Sequence, residues 1–346
     1  MNLLSCDLEY IKDQTTELWQ EAQGKRFFIT GGSGFFGRWI VESFCAVNRL
    51  LKLDASAVVL TRKPERLMNA APHLASDPSI KLMHGDVRSF SFGVDRYDYV
   101  VHAASEGGIP AREMLDTIVQ GTRHTLDFAS ACGATNFLLL SSGAVYGAQP
   151  PSIEFLDESF EGAPILENCH APYGEGKRMA ELLCHIYSRD FGINCKVARC
   201  FTFVGAHLPL DSHFAIGNFI GNALRGEPLQ IQGDGTPLRS YLYMADAVVW
   251  IWTMLFRAST LRPYNLGSDQ PISIADLAQT VAEVLSPGAE IIVAQRPLPD
   301  VSPLRYVPSV RSAKEDLGLT IGVDLREAIR RTAAWCKGQD SGGDKS

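Results

Sequence analysis

Short apolar runs alternate with longer segments of helical periodicity over the first two thirds of the chain. The apolar runs cover residues 26–30, 56–61, 80–86, 97–104, 136–142 and 195–201. Half-exposed strands would alternate apolar and polar positions, so runs this apolar are expected to be covered on both faces. Apolar residues at helical spacing fill 35–50, 111–132 and 172–191 between them. The pattern predicts an open α/β fold, in which helices cover both faces of a parallel sheet.

The pattern changes before residue 24 and after residue 200. Apolar positions at near-helical spacing predict one amphipathic helix over 7–22, within an N-terminal extension of residues 1–23. Glycine- and proline-rich segments then predict a smaller lobe, residues 201–337, interwoven with the core of residues 24–200. Helices of this lobe are predicted at 213–225, 245–257, 273–286 and 324–336. The polar, glycine-rich end, residues 338–346, predicts a disordered tail.

A glycine-rich loop, TGGSGFFG, follows the first predicted strand and leads directly into a helix. Gly31 and Gly34 let the backbone turn tightly and approach a pyrophosphate, and Gly37 lets the helix pack on the strand. The start of the helix supplies N–H groups and a positive dipole to the phosphates. This order of elements predicts a Rossmann-type, doubly wound sheet that binds a dinucleotide, with Phe35 and Phe36 among the cofactor contacts.

The end of the second strand bears on which dinucleotide is bound. It reads LTRK and lacks the carboxylate that usually binds the adenosine ribose 2′-hydroxyl. Arg62 and Lys63 favour NADP over NAD, because an arginine fork suits a 2′-phosphate, although a solvated surface run remains the alternative. Asp86 and Val87, after the third strand, are predicted to bracket the adenine. Ala103, after the fourth strand, is predicted to contact the cofactor.

Three residues are predicted to transfer a proton beside that cofactor. Ser142 ends the fifth strand, and Tyr173 and Lys177 lie four residues apart on one face of a helix. A lysine ammonium beside a phenol lowers the phenol pKa, which makes tyrosine a usable acid or base for a carbinol proton. Gly174 and Gly176 each cost about 1 kcal/mol in a helix, so they indicate a close approach of the cofactor or another backbone. The order of these motifs is more specific than the Tyr-x-x-x-Lys spacing alone.

Composition narrows the classes of function. The 346 residues are 46% hydrophobic, which is typical of a folded globular chain, and the net charge is −7. An acidic chain is a poor partner for nucleic acid or an anionic membrane. Because no apolar run approaches about 18 residues and the start lacks a secretion signal, the sequence predicts a cytoplasmic protein. The eight scattered cysteines have no metal-site spacing, so no metal is expected.

The chain resembles the extended short-chain dehydrogenase/reductase family, in particular its nucleotide-sugar epimerases, dehydratases and reductases, over residues 24–337. The resemblance is carried by the motifs TGGSGFFG, HGD, VHAA, SSGAVYG, YGEGK, ARCFTFVG and GDGTPLRSYLYMAD. It implies that Ser142, Tyr173 and Lys177 are the catalytic residues and that Lys177 also contacts the nicotinamide ribose. It also implies that the loop glycines bind the pyrophosphate.

Departures from the family pattern narrow the reaction. Sugar 4,6-dehydratases carry an acid pair where this chain has Gly143 and Ala144, and sugar-acid decarboxylases usually keep a glutamate at the Ala144 position. Both reactions are therefore disfavoured. The remaining predictions are an NDP-hexose 4-epimerase, favoured by chain length and the full second lobe, and an NADPH-dependent NDP-4-keto-6-deoxyhexose reductase, favoured by Arg62 and Lys63. The intact catalytic residues disfavour a non-catalytic scaffold.

The resemblance also implies residues that bind the substrate. Asn218, Arg239 and Arg296 match positions that hold the nucleotide diphosphate in the family, with a surface salt bridge as the alternative for Arg239. An asparagine common in the RCFTFVG stretch is replaced by Thr202, which weakens the expectation of a diphosphate contact there.

Two further expectations concern packing. His102 is expected to pack at a strand end rather than act chemically, and Tyr306 fits either a site rim or the core. Family resemblance implies a homodimer through the helices at 111–132 and 172–191.

Overall fold

The structure is a computed structural model that describes residues 3–105, 109–212, 214–298 and 301–340. Its strands are β1 (Arg26–Thr30), β2 (Ser56–Thr61), β3 (Ile80–His84), β4 (Tyr99–His102), β5 (Asn136–Ser142), β6 (Asn194–Cys200), β7 (Phe203–Val204), β8 (Leu229–Ile231), β9 (Leu238–Arg239), β10 (Leu242–Tyr243), β11 (Pro263–Leu266), β12 (Ile272–Ser273), β13 (Ile291–Val293) and β14 (Arg305–Tyr306). Its α-helices are α1 (Leu3–Thr15), α2 (Phe35–Leu51), α3 (Pro64–Ala70), α4 (Pro72–Ala75), α5 (Ala111–Cys132), α6 (Ala171–Phe191), α7 (Ala215–Arg225), α8 (Met244–Arg257), α9 (Ile274–Leu285), α10 (Arg311–Leu317) and α11 (Leu325–Asp340).

Seven of these strands form the central sheet, in the order β11-β6-β5-β4-β1-β2-β3. Every neighbouring pair is parallel; Ile29 of β1, for example, faces Val59 of β2 and Val101 of β4. The predicted doubly wound parallel sheet is confirmed. The chain adds strands outward from β1 on one side and then returns to add β4 on the other. A crevice therefore opens beyond the carboxyl ends of β1 and β4, where ligands bind in folds of this kind.

The two faces of the sheet bury separate apolar clusters, because alternate residues of each strand point to opposite sides. Phe27 of β1 packs with Phe44 of α2 and Trp252 of α8 on one face. Phe28 packs with Phe128 of α5 on the other face, which α6 also covers. The strands are therefore covered on both sides, as their continuous apolar runs predict, and their carboxyl ends are held as a fixed edge for the site.

The N-terminal extension differs from the single helix predicted over 7–22. In the structure α1 ends at Thr15, and a short 3₁₀ helix follows at Leu18–Ala22. The hydroxyls of Thr15 and Thr16 donate to carbonyls four residues earlier, which satisfies backbone acceptors at the helix end. The predicted continuous helix is therefore wrong at this point.

The extension is anchored to the C-terminal part of the chain by buried polar contacts. Asp7 accepts hydrogen bonds from the hydroxyl of Tyr243, at 2.6 Å, and from Arg331 of α11, at 2.7 Å. Tyr10 donates to Asp246 of α8 at 2.7 Å. Because Tyr243 is the last residue of β10 and pairs with Val204 of β7, α1 supports this small sheet from outside the site.

Short strands and helices build the lobe after residue 200. The small sheets are β12-β9-β14, β10-β7 and β13-β8. β11, which lies within the range predicted for the second lobe, pairs with β6 in the central sheet. α11 extends to Asp340, and the start of the predicted tail is therefore helical, whereas residues 341–346 lie outside the described residues. None of the helices in the described ranges is long and apolar enough to cross a bilayer.

Candidate active site

The glycine loop forms a tight cradle between β1 and α2. Gly31 has φ +74°, and a Cβ there would lie 2.7 Å from the carbonyl oxygen of Ala103 and 2.7 Å from the backbone nitrogen of Ala104. A Cβ on Gly37 would lie only 2.0 Å from the carbonyl oxygen of Gly31. Gly34 precedes the first turn of α2 and its N–H donates to Gly31 at 3.0 Å. The backbone therefore leaves no room for side chains at Gly31 and Gly37, and the loop fits a bound dinucleotide.

The predicted cofactor residues lie along the same edge of the sheet. Gly31, Arg62 and Ala103 directly follow β1, β2 and β4, and Asp86 follows β3 by two residues. Parallel strands end on one side, so the structure brings these positions to one crevice. Phe35 and Phe36, half-buried, begin α2 at the same edge. Their contacts with a cofactor stay predictions.

A polar contact joins the glycine loop to the end of the neighbouring strand. The hydroxyls of Ser33 in the glycine loop and Thr61 at the end of β2 are 3.1 Å apart, which links the loop to the second strand. Val87 is buried and packs closely over Gly121 of α5. Its side chain therefore belongs to the apolar cluster beneath the rim, and its predicted adenine contact stays untested.

A cationic environment surrounds the ends of β2 and β3. Arg88 donates to the two carboxylate oxygens of Asp86 at 2.9 and 2.7 Å. These hydrogen bonds hold the pKa of Asp86 below its usual range, and the charge of Arg62 lowers it further. Asp86 is therefore an ionised carboxylate already engaged by an arginine, with a second arginine close by.

Ser142, Tyr173 and Lys177 meet at the adjoining end of β5. Ser142 is the last residue of β5, and Tyr173 lies in the first turn of α6, which crosses that strand end. Hydrogen bonding to Ser142 and Ser105 favours the tyrosinate. The ammonium of Lys177 lies 5.9 Å from the centre of the Tyr173 ring and donates to the carbonyl of Leu140 at 2.8 Å. The structure thus brings the predicted catalytic residues together.

The charge state of Tyr173 differs from the sequence expectation. Burial raises the pKa of Tyr173 above its ordinary value, and the hydrogen bonds to Ser142 and Ser105 oppose this only in part. Lys177 is itself fully buried, and its ammonium is bound to a backbone carbonyl of β5. The predicted lowering of the tyrosine pKa by the lysine is therefore wrong, because burial raises that pKa.

The buried lysine makes the site sensitive to pH. Burial lowers the pKa of Lys177 to about 8, and the nearby Cys200 and Glu181 oppose that shift. The amine is cationic below that pH and neutral above it. Because Lys177 is predicted to contact the nicotinamide ribose and a charged donor makes the stronger hydrogen bond, we expect kcat to fall as the pH rises through about 8. Steady-state rates between pH 6 and 10 check this, and a flat profile above pH 8 would contradict it.

The helical glycines beside Tyr173 have a packing reason. A Cβ on Gly174 would lie 2.6 Å from the carbonyl oxygen of Ala144, in the short 3₁₀ helix after β5. A Cβ on Gly176 would lie 3.2 Å from Leu115 of α5. The close approach of another backbone, one of the two reasons predicted for these glycines, is confirmed at Gly174. It lets α6 bring Tyr173 against the end of β5.

Tyr306 is a site residue that the sequence left undecided between rim and core. A Cβ on Gly143 would lie 2.6 Å from the hydroxyl oxygen of Tyr306 and 2.7 Å from the ring of Phe201. The space beside Ser142 that a longer side chain would occupy is thus filled by a phenol from β14. The only sequence signal was the glycine itself, which indicated a missing acid rather than a contact partner.

Other polar groups near the catalytic residues are accounted for by packing. His102, fully buried at the end of β4, contacts Thr30 at 2.9 Å and Thr122 at 3.1 Å. Burial lowers its pKa to about 3, so the imidazole is neutral and fills the packing role expected of it. Cys200 ends β6 as a buried thiol whose pKa burial raises to about 12. In the described part of the chain, no group of His, Cys, Asp and Glu could hold a metal ion.

The predicted substrate residues are distributed unevenly. Arg239, half-buried on β9, is paired in register with Tyr306, and its guanidinium lies 6.0 Å from the centre of that ring. Asn218 lies in the first turns of α7, and Arg296 is exposed after β13. The Thr202 hydroxyl donates to the carbonyl of Ser240 and so supports the lobe's backbone. The structure therefore connects Arg239 to the catalytic residues, whereas the roles of Asn218 and Arg296 stay predictions.

Comparison with known proteins agrees with this geometry. Residues 27–267 match the NAD dependent epimerase/dehydratase family. The chain is 33% identical over 312 residues to UDP-glucuronic acid decarboxylase 3 of Arabidopsis thaliana, covering 88% of this chain and 86% of the relative. It is 30% identical to UDP-glucuronic acid decarboxylase 1 of Xenopus tropicalis, with 90% and 72% covered.

Solved structures share the fold at lower identity. UDP-glucose 4-epimerase of Thermotoga maritima, determined with UDP-glucose, superposes with a TM-score of 0.76 at 21% identity, over 91% of this chain and 99% of that chain. A dTDP-glucose 4,6-dehydratase of Streptomyces venezuelae, determined with NAD bound, gives 0.77 at 23% identity, over 92% and 98%.

Proposed function

The chain belongs to the NAD dependent epimerase/dehydratase family, and we propose that it is an NDP-hexose 4-epimerase that works by hydride transfer at the C4 carbinol of a nucleotide sugar. The observation that carries this proposal is the arrangement around Ser142. Tyr173 and Ser142 meet at the end of β5, where contact with Ser142 opposes the rise that burial causes in the pKa of Tyr173, whereas the adjoining space at Gly143 holds the hydroxyl of Tyr306 and the ring of Phe201. The site therefore offers a hydroxyl for the carbinol proton, and positions 143 and 144 offer no carboxyl for elimination or decarboxylation.

In the proposed reaction, the same side chains act first in the oxidation of C4 and then in the reduction of the 4-keto sugar. Tyr173 takes the proton of the C4 hydroxyl while Ser142 holds the same oxygen, and the C4–H bond breaks with both electrons leaving as hydride. A bound nicotinamide supplies the hydride acceptor and donor. The 4-keto sugar then rotates within the site and presents its other face. Hydride returns to the opposite face of C4, and Tyr173 returns the proton to the oxygen. Lys177 is proposed to contact the nicotinamide ribose.

The proposed function also assigns a cofactor and a ligand-binding role to each part of the chain. We propose that residues 24–200 bind the dinucleotide and residues 201–337 mainly bind the substrate. The cofactor proposal favours NADP, supported by the engagement of Asp86 with Arg88 and by the nearby charge of Arg62. A cytoplasmic location is proposed because nicotinamide cofactors and nucleotide sugars are supplied there.

A second function is favoured by the arginines at the ends of β2 and β3, Arg62 and Arg88. An NADPH-dependent reductase of an NDP-4-keto-6-deoxyhexose would use Ser142, Tyr173 and Lys177 in one direction and then release oxidised cofactor. Arg62 directly follows β2, whose own end carries no acidic residue, and suits a cofactor that carries a 2′-phosphate. The two functions differ in whether reducing equivalents are consumed.

One experiment separates these functions. Purified protein, characterised by native mass spectrometry for bound cofactor, is given UDP-, dTDP-, GDP- and CDP-hexoses without added reductant. Interconversion of two C4 epimers supports the epimerase. Consumption of NADPH with a 4-keto sugar alone supports the reductase, and release of CO₂ from UDP-glucuronic acid would contradict both.

Arg239 is proposed to bind the nucleotide diphosphate. Among the described residues it has no ion-pair partner within 4.0 Å, and burial lowers the pKa of its guanidinium, so an anionic ligand would compensate a desolvated cation. We expect Arg239→Gln to raise KM for the nucleotide sugar about 10- to 100-fold with a small change in kcat. Arg225→Gln, at an exposed arginine already paired with Glu227, is the matched control. Equal KM values for the two variants would contradict the assignment.

A homodimer is proposed through α5 and α6. Their outer faces expose Leu115, Met179 and Leu182, which would be buried if a second copy packed its own two helices there. Light scattering of the eluted protein checks this, and a monomer mass would contradict it.

A further inference from the structure

The hydroxyl of Tyr306 reaches the catalytic serine from a distant part of the chain. β14 pairs in parallel with β9, and a backbone bridge joins Arg305 to Gln149. The side chain of Gln149 also accepts from the backbone nitrogen of Val307 at 2.9 Å. Tyr306 is therefore fixed on both sides along the backbone, so its side chain has a defined position rather than a loosely held one.

Its ring is fixed as well. The Tyr306 and Phe201 rings pack with centroids 4.7 Å apart. Because Gly143 has no side chain, the Tyr306 hydroxyl lies over its backbone, 2.6 Å from where a Cβ would be. Phe201 prevents a sideways shift and Gly143 opens the space next to Ser142. Glycine at 143 is thus explained by the phenol that it admits.

The hydrogen-bond capacity of Ser142 gives this phenol a chemical role. A serine hydroxyl has one proton to donate and two lone pairs that accept. One lone pair of Ser142 accepts from the backbone nitrogen of Ala144 at 3.1 Å. The hydroxyl of Tyr306 lies over the Gly143 backbone, between Ser142 and the Ala144 nitrogen that Ser142 binds, so the two hydroxyls are neighbours. Contact with Ser142 also opposes the rise in pKa that burial causes at Tyr173 and at Tyr306.

We infer that Tyr306 is a positioning residue for the proposed hydride transfer: its hydroxyl donates to the second lone pair of Ser142 and so directs the serine proton toward the substrate oxygen beside Tyr173. With both lone pairs occupied, the remaining capacity of Ser142 is its own O–H, and this is the donor that a developing oxyanion or carbonyl oxygen requires. The inference rests on the proposed function, since it needs a substrate oxygen at that point.

The test is a double-mutant cycle on turnover. Tyr306→Phe removes the hydroxyl and keeps the ring against Phe201. We expect kcat to fall about tenfold, the size of one neutral hydrogen bond of about 1.4 kcal/mol, with KM changed less than about twofold. In the Ser142→Ala background the same substitution should have no further effect on kcat, because its partner is gone.

Controls separate this role from general support of the fold. Tyr146 belongs to the same aromatic cluster, and its hydroxyl donates to Asn265 at 2.7 Å, so Tyr146→Phe should change kcat by the same factor with Ser142 or with alanine present. Cofactor affinity, followed by tryptophan fluorescence, should match the parent in Tyr306→Phe. A tenfold loss in both backgrounds, or no loss in the parent background, would overturn the assignment.

The outcome also distinguishes this inference from the proposed function. If the parent converts a nucleotide sugar and Tyr173→Phe removes that activity while the Tyr306 cycle is additive, only the role of Tyr306 fails. If no nucleotide sugar is converted by the parent, the proposed function fails and this inference fails with it.

Discussion

Replacing Tyr173 with phenylalanine is expected to lower kcat at least about 10²-fold, the usual range for loss of a positioned acid or base. The substitution removes one hydroxyl and keeps the ring that α6 holds beside Ser142. KM should change little, because the nucleotide is proposed to be bound by the second lobe. Initial rates of epimer formation at saturating substrate, followed by chromatographic separation of the two nucleotide sugars, measure the effect.

Tyr187→Phe provides the matched control. Tyr187 is on the same helix, about four turns further along, and its hydroxyl donates to Asp127 away from the crevice. This variant also loses a buried phenolic hydroxyl from α6, and its turnover should stay close to that of the parent. Full activity in Tyr173→Phe would remove the phenol from the proposed mechanism.

Gly37→Ala is expected to have the largest effect on the fold and on cofactor binding together. A Cβ would lie 2.0 Å from the carbonyl oxygen of Gly31 and 2.5 Å from the Cα of Gly32, and both neighbours are backbone atoms that cannot rotate away. Core overpacking usually costs about 1–3 kcal/mol, and a backbone clash this close belongs at about 3 kcal/mol or above. Denaturant unfolding and a cofactor titration by fluorescence measure the two effects.

Gly34→Ala is the comparison for stability within the same loop. Gly34 has φ −79°, which any residue adopts, and its Cβ would lie 3.4 Å from the nearest atom, an ordinary contact. Its unfolding midpoint should therefore stay near that of the parent, whatever happens to cofactor affinity. A Gly37→Ala protein as stable as Gly34→Ala would contradict the close packing described for α2 on β1.

Most of the central sheet was predictable because its strands are continuous apolar runs with helical segments between them. The strand that the sequence missed, β11, is an edge strand that begins with Pro263. Proline is tolerated at the first position of an edge strand, but in the sequence it indicates a loop. Only pairing with β6, far away along the chain, identifies those residues as part of the sheet.

The site was predictable where function depends on local spacing. Tyr173 and Lys177 lie one helical turn apart, and the loop glycines follow a strand and precede a helix, so short patterns were sufficient. The charge state of Tyr173 was not predictable, because it depends on how deeply α6 and its neighbours bury the phenol. Gly143 and Tyr306 are distant along the chain, and no local pattern joins them.

The proposed reaction requires that hydride leaves C4 of the sugar while Tyr173 takes the hydroxyl proton. The most direct measurement supplies a nucleotide hexose deuterated at C4 to the purified enzyme with its oxidised cofactor and follows the label by mass spectrometry. We expect deuterium on the reduced cofactor in a single turnover, retention of the label at C4 of the epimer, and loss of both signals in Tyr173→Phe. Epimer formed with the label exchanged into solvent, or conversion undiminished in Tyr173→Phe, would contradict it.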